Sequence, residues 1–81
     1  MGNYGDAFNS AVAAELRAQR ARGKKTIDEV VQQSGISKSA VLNYMNGKRD
    51  VPLPALVELC RVLGVSPQTI FDRAEDAVKQ H

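Results

Sequence analysis

Between Ser37 and Gly47 the chain carries Lys38, Ser39, Leu42, Asn43 and Asn46, and no acidic residue lies among them. On a helix turning about 100° per residue these five fill an arc of about 140°, opposite Val41 and Tyr44, with Met45 at the margin. Four of the five are short or flexible hydrogen-bonding side chains. Lys38 can donate to guanine O6 and N7, Asn43 can pair with adenine, and Leu42 can press on a thymine methyl. A face of this chemistry, with no carboxylate to repel phosphate, suits the major groove of a nucleic-acid duplex.

The wider charge pattern points the same way. The 81 residues hold 11 Lys and Arg against 9 Asp and Glu, a net charge of +2. Arg17, Arg20, Arg22, Lys24 and Lys25 form one acid-free stretch, and Lys38, Lys48 and Arg49 form another, with Asp28 and Glu29 between them. The tail from Ser66 onward sets Asp72, Glu75 and Asp76 against Arg73 and Lys79. One end of the molecule is therefore expected to attract phosphate, while the other is neutral to acidic. Lys24 and Lys25, in the loop before the second helix, are candidates for a phosphate contact. The helix-one arginines are weaker ones, because that helix packs across the bundle.

Other chemistries find little support. No nucleophile–base pair, paired-carboxylate cleft or phosphate-cradling glycine loop is present, so no enzyme is expected. With one cysteine, Cys60, and one histidine, His81, neither an internal disulfide nor a zinc site can be assembled, and no metal or cofactor is expected. His81 is assigned no role. No apolar run approaches the roughly 18 residues of a membrane span, and the start Met1-Gly2-Asn3-Tyr4-Gly5-Asp6 does not read as a signal peptide. A cytoplasmic protein with no membrane partner is the expectation.

The elements that would hold these side chains are helices. Gly23, Gly35, Gly47 and Gly64 each follow a stretch of helical apolar spacing, where a left-handed glycine cap is expected. Four stops imply five helices, and no stretch alternates as a strand does. The first, Tyr4 to Arg22, has Phe8, Val12 and Leu16 at four-residue steps. The second opens at Thr26 with Glu29 at capping-box spacing and presents Val30 and Val31. The third follows Ser37 as N-cap, with Val41, Tyr44 and Met45 inward. The fourth begins around Pro52 to Pro54 and carries Leu56, Leu59, Cys60 and Leu63. The fifth opens with Ser66 and Pro67, and continues with Ile70, Phe71, Ala74 and either Ala77 or Val78. Residues 1–81 are read as one domain with its core between 8 and 78. Only Gly35-Ile36-Ser37 separates helices two and three, which forces a sharp angle and reads as a helix-turn-helix.

At these residues the chain resembles the Cro/repressor-type helix-turn-helix family, also called lambda-repressor-like or XRE-like. The resemblance runs from Leu16 to Phe71. It rests on Leu16-Arg17 and Arg20, Thr26-x-x-Glu29, Gly35-Ile36-Ser37-Lys38-Ser39, Asn46-Gly47-Lys48-Arg49, Leu56-x-x-Leu59-Cys60-x-x-Leu63-Gly64-Val65-Ser66 and Ile70-Phe71, in order and at the family's spacing. It implies an all-α, compact five-helix bundle that binds operator DNA, usually as a dimer on a near-palindromic site. By the same resemblance, base reading falls on Lys38, Ser39 and Asn43 with Leu42 beside them. Phosphate contacts fall on the start of helix two at Thr26 and on Asn46, Lys48 and Arg49. The chain departs from the family at Ile27, where Gln often contacts phosphate and braces the recognition helix, and at Val31, where Ala is usual.

One helix-turn-helix reads only a few base pairs, so a second copy is expected, with half-sites about 34 Å apart. Helix five offers Ile70, Phe71, Ala74 and Val78 as an apolar dimer face within a charged rim, with Tyr4 adding to it. The function expected is a sequence-specific DNA-binding transcriptional regulator, a repressor from a bacterium or phage, reading a double-stranded operator through a recognition helix at about 37–46. The alternative is a protein-interaction module, an antitoxin or adaptor, using the same fold mainly to bind a partner protein.

Overall fold

The computed structural model describes residues 3–80, so Met1, Gly2 and His81 lie outside the described residues. Five helices follow in order, α1 (Asn3–Arg22), α2 (Ile27–Ser34), α3 (Lys38–Met45), α4 (Leu53–Leu63) and α5 (Pro67–Lys79), and no strand occurs among the described residues. The bundle measures 34 × 23 × 18 Å.

Local chemistry sets where the helices begin. Thr26 and Glu29 form the capping box that opens α2, Ser37 accepts from the Ala40 amide at the start of α3, and Ser66 accepts from the Thr69 amide at the start of α5. Each supplies an acceptor for an amide the helix itself cannot satisfy. α4 has no side-chain cap and starts on Pro52 with a second proline in its first turn.

The expected glycine stop after α1 is not used. Gly23 does not take a positive φ; Lys24 does, at 56°. The turn is held instead by α1, whose Arg20 donates from Nη1 to the Lys25 carbonyl at 2.7 Å. The Lys25 amide also donates to the Arg20 carbonyl at 3.2 Å, a six-to-one bond that closes the helix end one residue beyond Gly23 and leaves Lys24 in the left-handed position.

The core joins all five helices. Val12 and Leu16 of α1, Val30 of α2, Val41 and Met45 of α3, Leu56, Leu59, Cys60, Val62 and Leu63 of α4, and Ile70 and Ala74 of α5 are buried together. No polar or charged residue is buried among the described residues. Burying a large aliphatic side chain contributes about 1.5–3 kcal/mol, so this shared core, rather than any single helix, supports the short α2 and α3. α1 lies along α5 in the most extensive helix pair, while α2 packs on α3 and α4. Cys60 is fully buried, and that burial pushes its thiol up from its ordinary value, consistent with a small core hydrophobe.

Candidate nucleic-acid interface

α2 and α3 are eight residues each and meet through Gly35, Ile36 and Ser37. Gly35 has φ of 74°, a left-handed conformation that a side chain would strain. The Ile36 amide donates to Ser34 Oγ at 3.1 Å, and its side chain packs against the core. The turn is thereby pinned from both sides, and α3 leaves α2 at a fixed angle.

On α3, Val41 is fully buried and Met45 is 2% exposed. Met45 is thus a core residue rather than a marginal one, and Tyr44 is the half-buried flank. Lys38, Ser39, Leu42 and Asn46 are exposed on the outward side. Asn43 is half-buried, and its carbonyl accepts from the amides of Lys48 at 3.0 Å and Arg49 at 3.3 Å. The end of α3 therefore folds its own trailing loop back beside the outward face, where Lys48 and Arg49 are both exposed. Asn9 of α1 steadies that loop. Its Nδ2 donates to the Arg49 carbonyl at 3.4 Å, and its Oδ1 accepts from the Val51 amide at 3.1 Å.

The start of α2 is closed by the capping box that the spacing of Thr26 and Glu29 predicts. Thr26 N–H donates to Glu29 Oε1 at 2.8 Å, and Thr26 Oγ1 accepts from the Glu29 amide at 3.1 Å. The Thr26 N–H, first of all, and then its hydroxyl hold the Glu29 carboxyl below its ordinary pKa, with Lys25 adding to the effect. In a helix of this geometry the amides left over are those of Ile27 and Asp28. Ile27 is half-buried against the core. One residue further, Asp28 Oδ1 lies 3.1 Å from Lys38 Nζ, an exposed pair between the first turns of α2 and α3. Lys25 is half-buried and donates from its ammonium to Gln33 Oε1 at 2.9 Å, whereas Lys24 is exposed.

Arg17 and Arg20 act on the protein itself. Arg17 donates from Nη1 to the Met45 carbonyl at the end of α3. Arg20 holds the loop before α2, and its Nε is buried without a partner among the described residues. Arg22 donates to Gln19 Oε1 at 2.9 Å. The roles of Arg17 and Asp28 have no counterpart in sequence periodicity, because each joins residues far apart in the chain.

On α5, Ile70 and Ala74 have no exposed surface. They are core residues facing the chain's own helices, which corrects the expectation that they line a dimer face. Phe71 is 37% exposed and Val78 is half-buried. Phe71 stacks on Phe8 with ring centroids 5.9 Å apart, and Phe8 on Tyr4 at 6.3 Å. Tyr4, Phe8, Val51, Leu53, Leu56 and Phe71 border an apolar cleft of about 450 Å³. No helix among the described residues is long and apolar enough to cross a membrane.

Two short helices locked at a glycine turn, the second turning a polar, acid-free face outward from an all-helical bundle, define a helix-turn-helix domain. Residues 11–70 match the helix-turn-helix domain family, and the chain belongs to that family, in its XRE-like form. The HTH-type transcriptional repressor RghR of Bacillus subtilis is 39% identical over 44 residues, 54% of this chain and 33% of RghR. The chain thus spans about a third of the length of that relative. A crystal structure of the clp gene regulator ClgR from Corynebacterium glutamicum has a TM-score of 0.80 at 26% identity, covering 86% of this chain and 91% of that one. A second ClgR structure has a TM-score of 0.84 at 25% identity, covering 90% and 78%.

Proposed function

We propose that the chain is a sequence-specific DNA-binding transcriptional regulator, a repressor that occupies a near-palindromic operator as a dimer in the cytoplasm of a bacterium or in a phage-infected cell. The observation that carries this reading is the outward face of α3, where Lys38, Ser39 and Leu42 are exposed beside the exposed Asn46, Lys48 and Arg49. In this reading Lys38, Ser39, Leu42 and Asn43 meet base edges, Lys38 on guanine and Leu42 on a thymine methyl. Asn46, Lys48, Arg49 and Lys24 meet phosphates, with Thr26 and Lys25 at the flank of the second helix. The match to a protein named a transcriptional repressor supports the repressor role.

Dimer formation is proposed through Phe71 and Val78 of α5, extended by Tyr4 and Leu53 at the apolar cleft. Phe71→Ala and Val78→Asp should each weaken self-association while leaving the helical signal intact; an unchanged dimer in sedimentation would remove α5 from the interface. The exposure of Tyr4 at 62%, Leu53 at 63% and Val57 at 47% favours a second reading, in which these apolar side chains hold a partner protein, as an antitoxin or adaptor does.

Selection from a random duplex pool at low ionic strength tests the DNA reading. A recovered site with two related halves about 34 Å apart is the expected result, and affinity should fall roughly a thousandfold or more between about 50 and about 200 mM salt if about six to ten phosphates are met. Recovery of no preferred sequence would overturn the regulator reading and favour the partner-binding one.

A further inference from the structure

We propose that Asp28 is a specificity-determining residue: by holding Lys38 it disfavours binding to the DNA backbone alone and leaves binding to a matching base pair intact. The inference rests on the reading of α3 as the base-contacting helix. Its observation is the 3.1 Å pair between Asp28 Oδ1 and Lys38 Nζ, with side-chain exposures of 80% and 60%, joining the first turns of α2 and α3.

An exposed pair of this kind contributes little to stability, so its consequence lies in what it does to a ligand. A lysine ammonium has three N–H donors and no acceptor. With one directed at Asp28, two are left, the number that guanine O6 and N7 accept in the major groove. Lys38 can therefore read guanine without leaving Asp28. A phosphate offers a different bargain. On the backbone Lys38 either shares its ammonium between the phosphate and the Asp28 carboxylate, setting two anions side by side, or abandons Asp28. In the second case that carboxylate is left uncovered in the first turn of α2, close to where a phosphate would approach the free amides of Ile27 and Asp28. Backbone-only binding meets a like charge in either case, whereas Lys38 on the uncharged edge of guanine meets none. Lys38 pairs with Asp28 and not with the neighbouring Glu29, whose Oε1 accepts from the Thr26 N–H.

The experiment uses the full chain and two probes, the duplex most enriched from a random pool and the unselected pool itself. Asp28→Asn removes the charge while keeping the side-chain volume, and is expected to raise affinity for the unselected pool about threefold to tenfold, more than for the enriched duplex. The preference of the protein for its site then shrinks by a similar factor, and the salt slope on the unselected pool steepens by about one counterion as Lys38 becomes free to bind phosphate. Asp28→Glu should retain most of the wild-type preference. In a Lys38→Met background the Asp28→Asn effect should largely disappear, which a merely structural role would not produce. Equal changes on both probes, or an undiminished effect in the Lys38→Met background, would overturn the proposal. Failure of the underlying reading is separate and visible first, since the wild-type chain would then enrich no sequence at all.

Discussion

Two stretches of this chain are basic and free of acids, and the fold uses them in opposite ways. In residues 17–25, Arg17 reaches the Met45 carbonyl, Arg20 the Lys25 carbonyl, Arg22 the Gln19 side chain and Lys25 the Gln33 side chain. In residues 37–49, Lys38 has the single carboxylate of Asp28, and no ion pair involves Lys48 or Arg49 among the described residues. The difference follows from what each stretch lies against. α1 crosses the bundle within reach of the carbonyls that end α3 and lead into α2, and those carbonyls want donors. The end of α3 and its loop leave Lys48 and Arg49 exposed, where water supplies the acceptors until a ligand displaces it. The two basic stretches thus separate into cations that brace α3 and the loop before α2, and cations that stay exposed beside α3.

The largest break in this comparison is expected at Lys38. Lys38→Ala should relax preference at one base position and cost about 1–3 kcal/mol of discrimination, measured by repeating the site selection with the variant. An unchanged selected site would show that Lys38 belongs with the bracing cations. Next, Arg17→Met with Arg20→Met should lower stability by about 2 kcal/mol together, since each removes a charge-assisted bond to a carbonyl and both sites are partly open to water. Thermal unfolding checks this, and the salt slope of DNA binding should hardly move. A slope lowered by about two would mean that the α1 arginines meet phosphate after all. Smaller again, Arg49→Ala should weaken every duplex alike and reduce the slope by about one, with the melting temperature nearly unchanged.

What was legible beforehand was local. Thr26 with Glu29, Ser37, Ser66 and the turn at Gly35 are relations within three or four residues, and each stands where spacing puts it. So does the outward side of α3, because a helix of eight residues with Val41 buried has only one way to face. Relations across the chain were not legible. The apolar residues of α5 illustrate why. Phe71 and Val78 lie about 80–100° round the helix from Ile70, so the pattern marks a broad apolar arc without saying where α1 will cover it. It covers Ile70 and Ala74, leaving Phe71 partly exposed at the edge. Lys24 taking the left-handed turn beside Gly23 was not legible either, since the helix end closes one residue later, on the bond from the Lys25 amide to the Arg20 carbonyl.

The smallest effect expected is at Glu29, which stands between the two basic stretches and closes the cap on α2. Its carboxyl lies below the ordinary value of 4.5, chiefly because the Thr26 N–H donates to the ionised form. A group whose pKa is lowered on folding binds its proton more readily in the unfolded chain. Its contribution is therefore complete at neutral pH, begins to fade as acid protonates the unfolded state, and is gone once pH falls through the folded value. Glu29→Gln keeps an acceptor for the Thr26 amide and removes the titration. Thermal unfolding of the two proteins should differ at neutral pH, with the natural chain the more stable, and the gap should close as acid protonates Glu29 in the folded chain. Other carboxylates titrate alike in both chains and cancel in the difference. A gap that held constant through that range would mean that the Thr26–Glu29 box adds only its hydrogen bonds, and that the negative charge at the start of α2 is left to Asp28 alone.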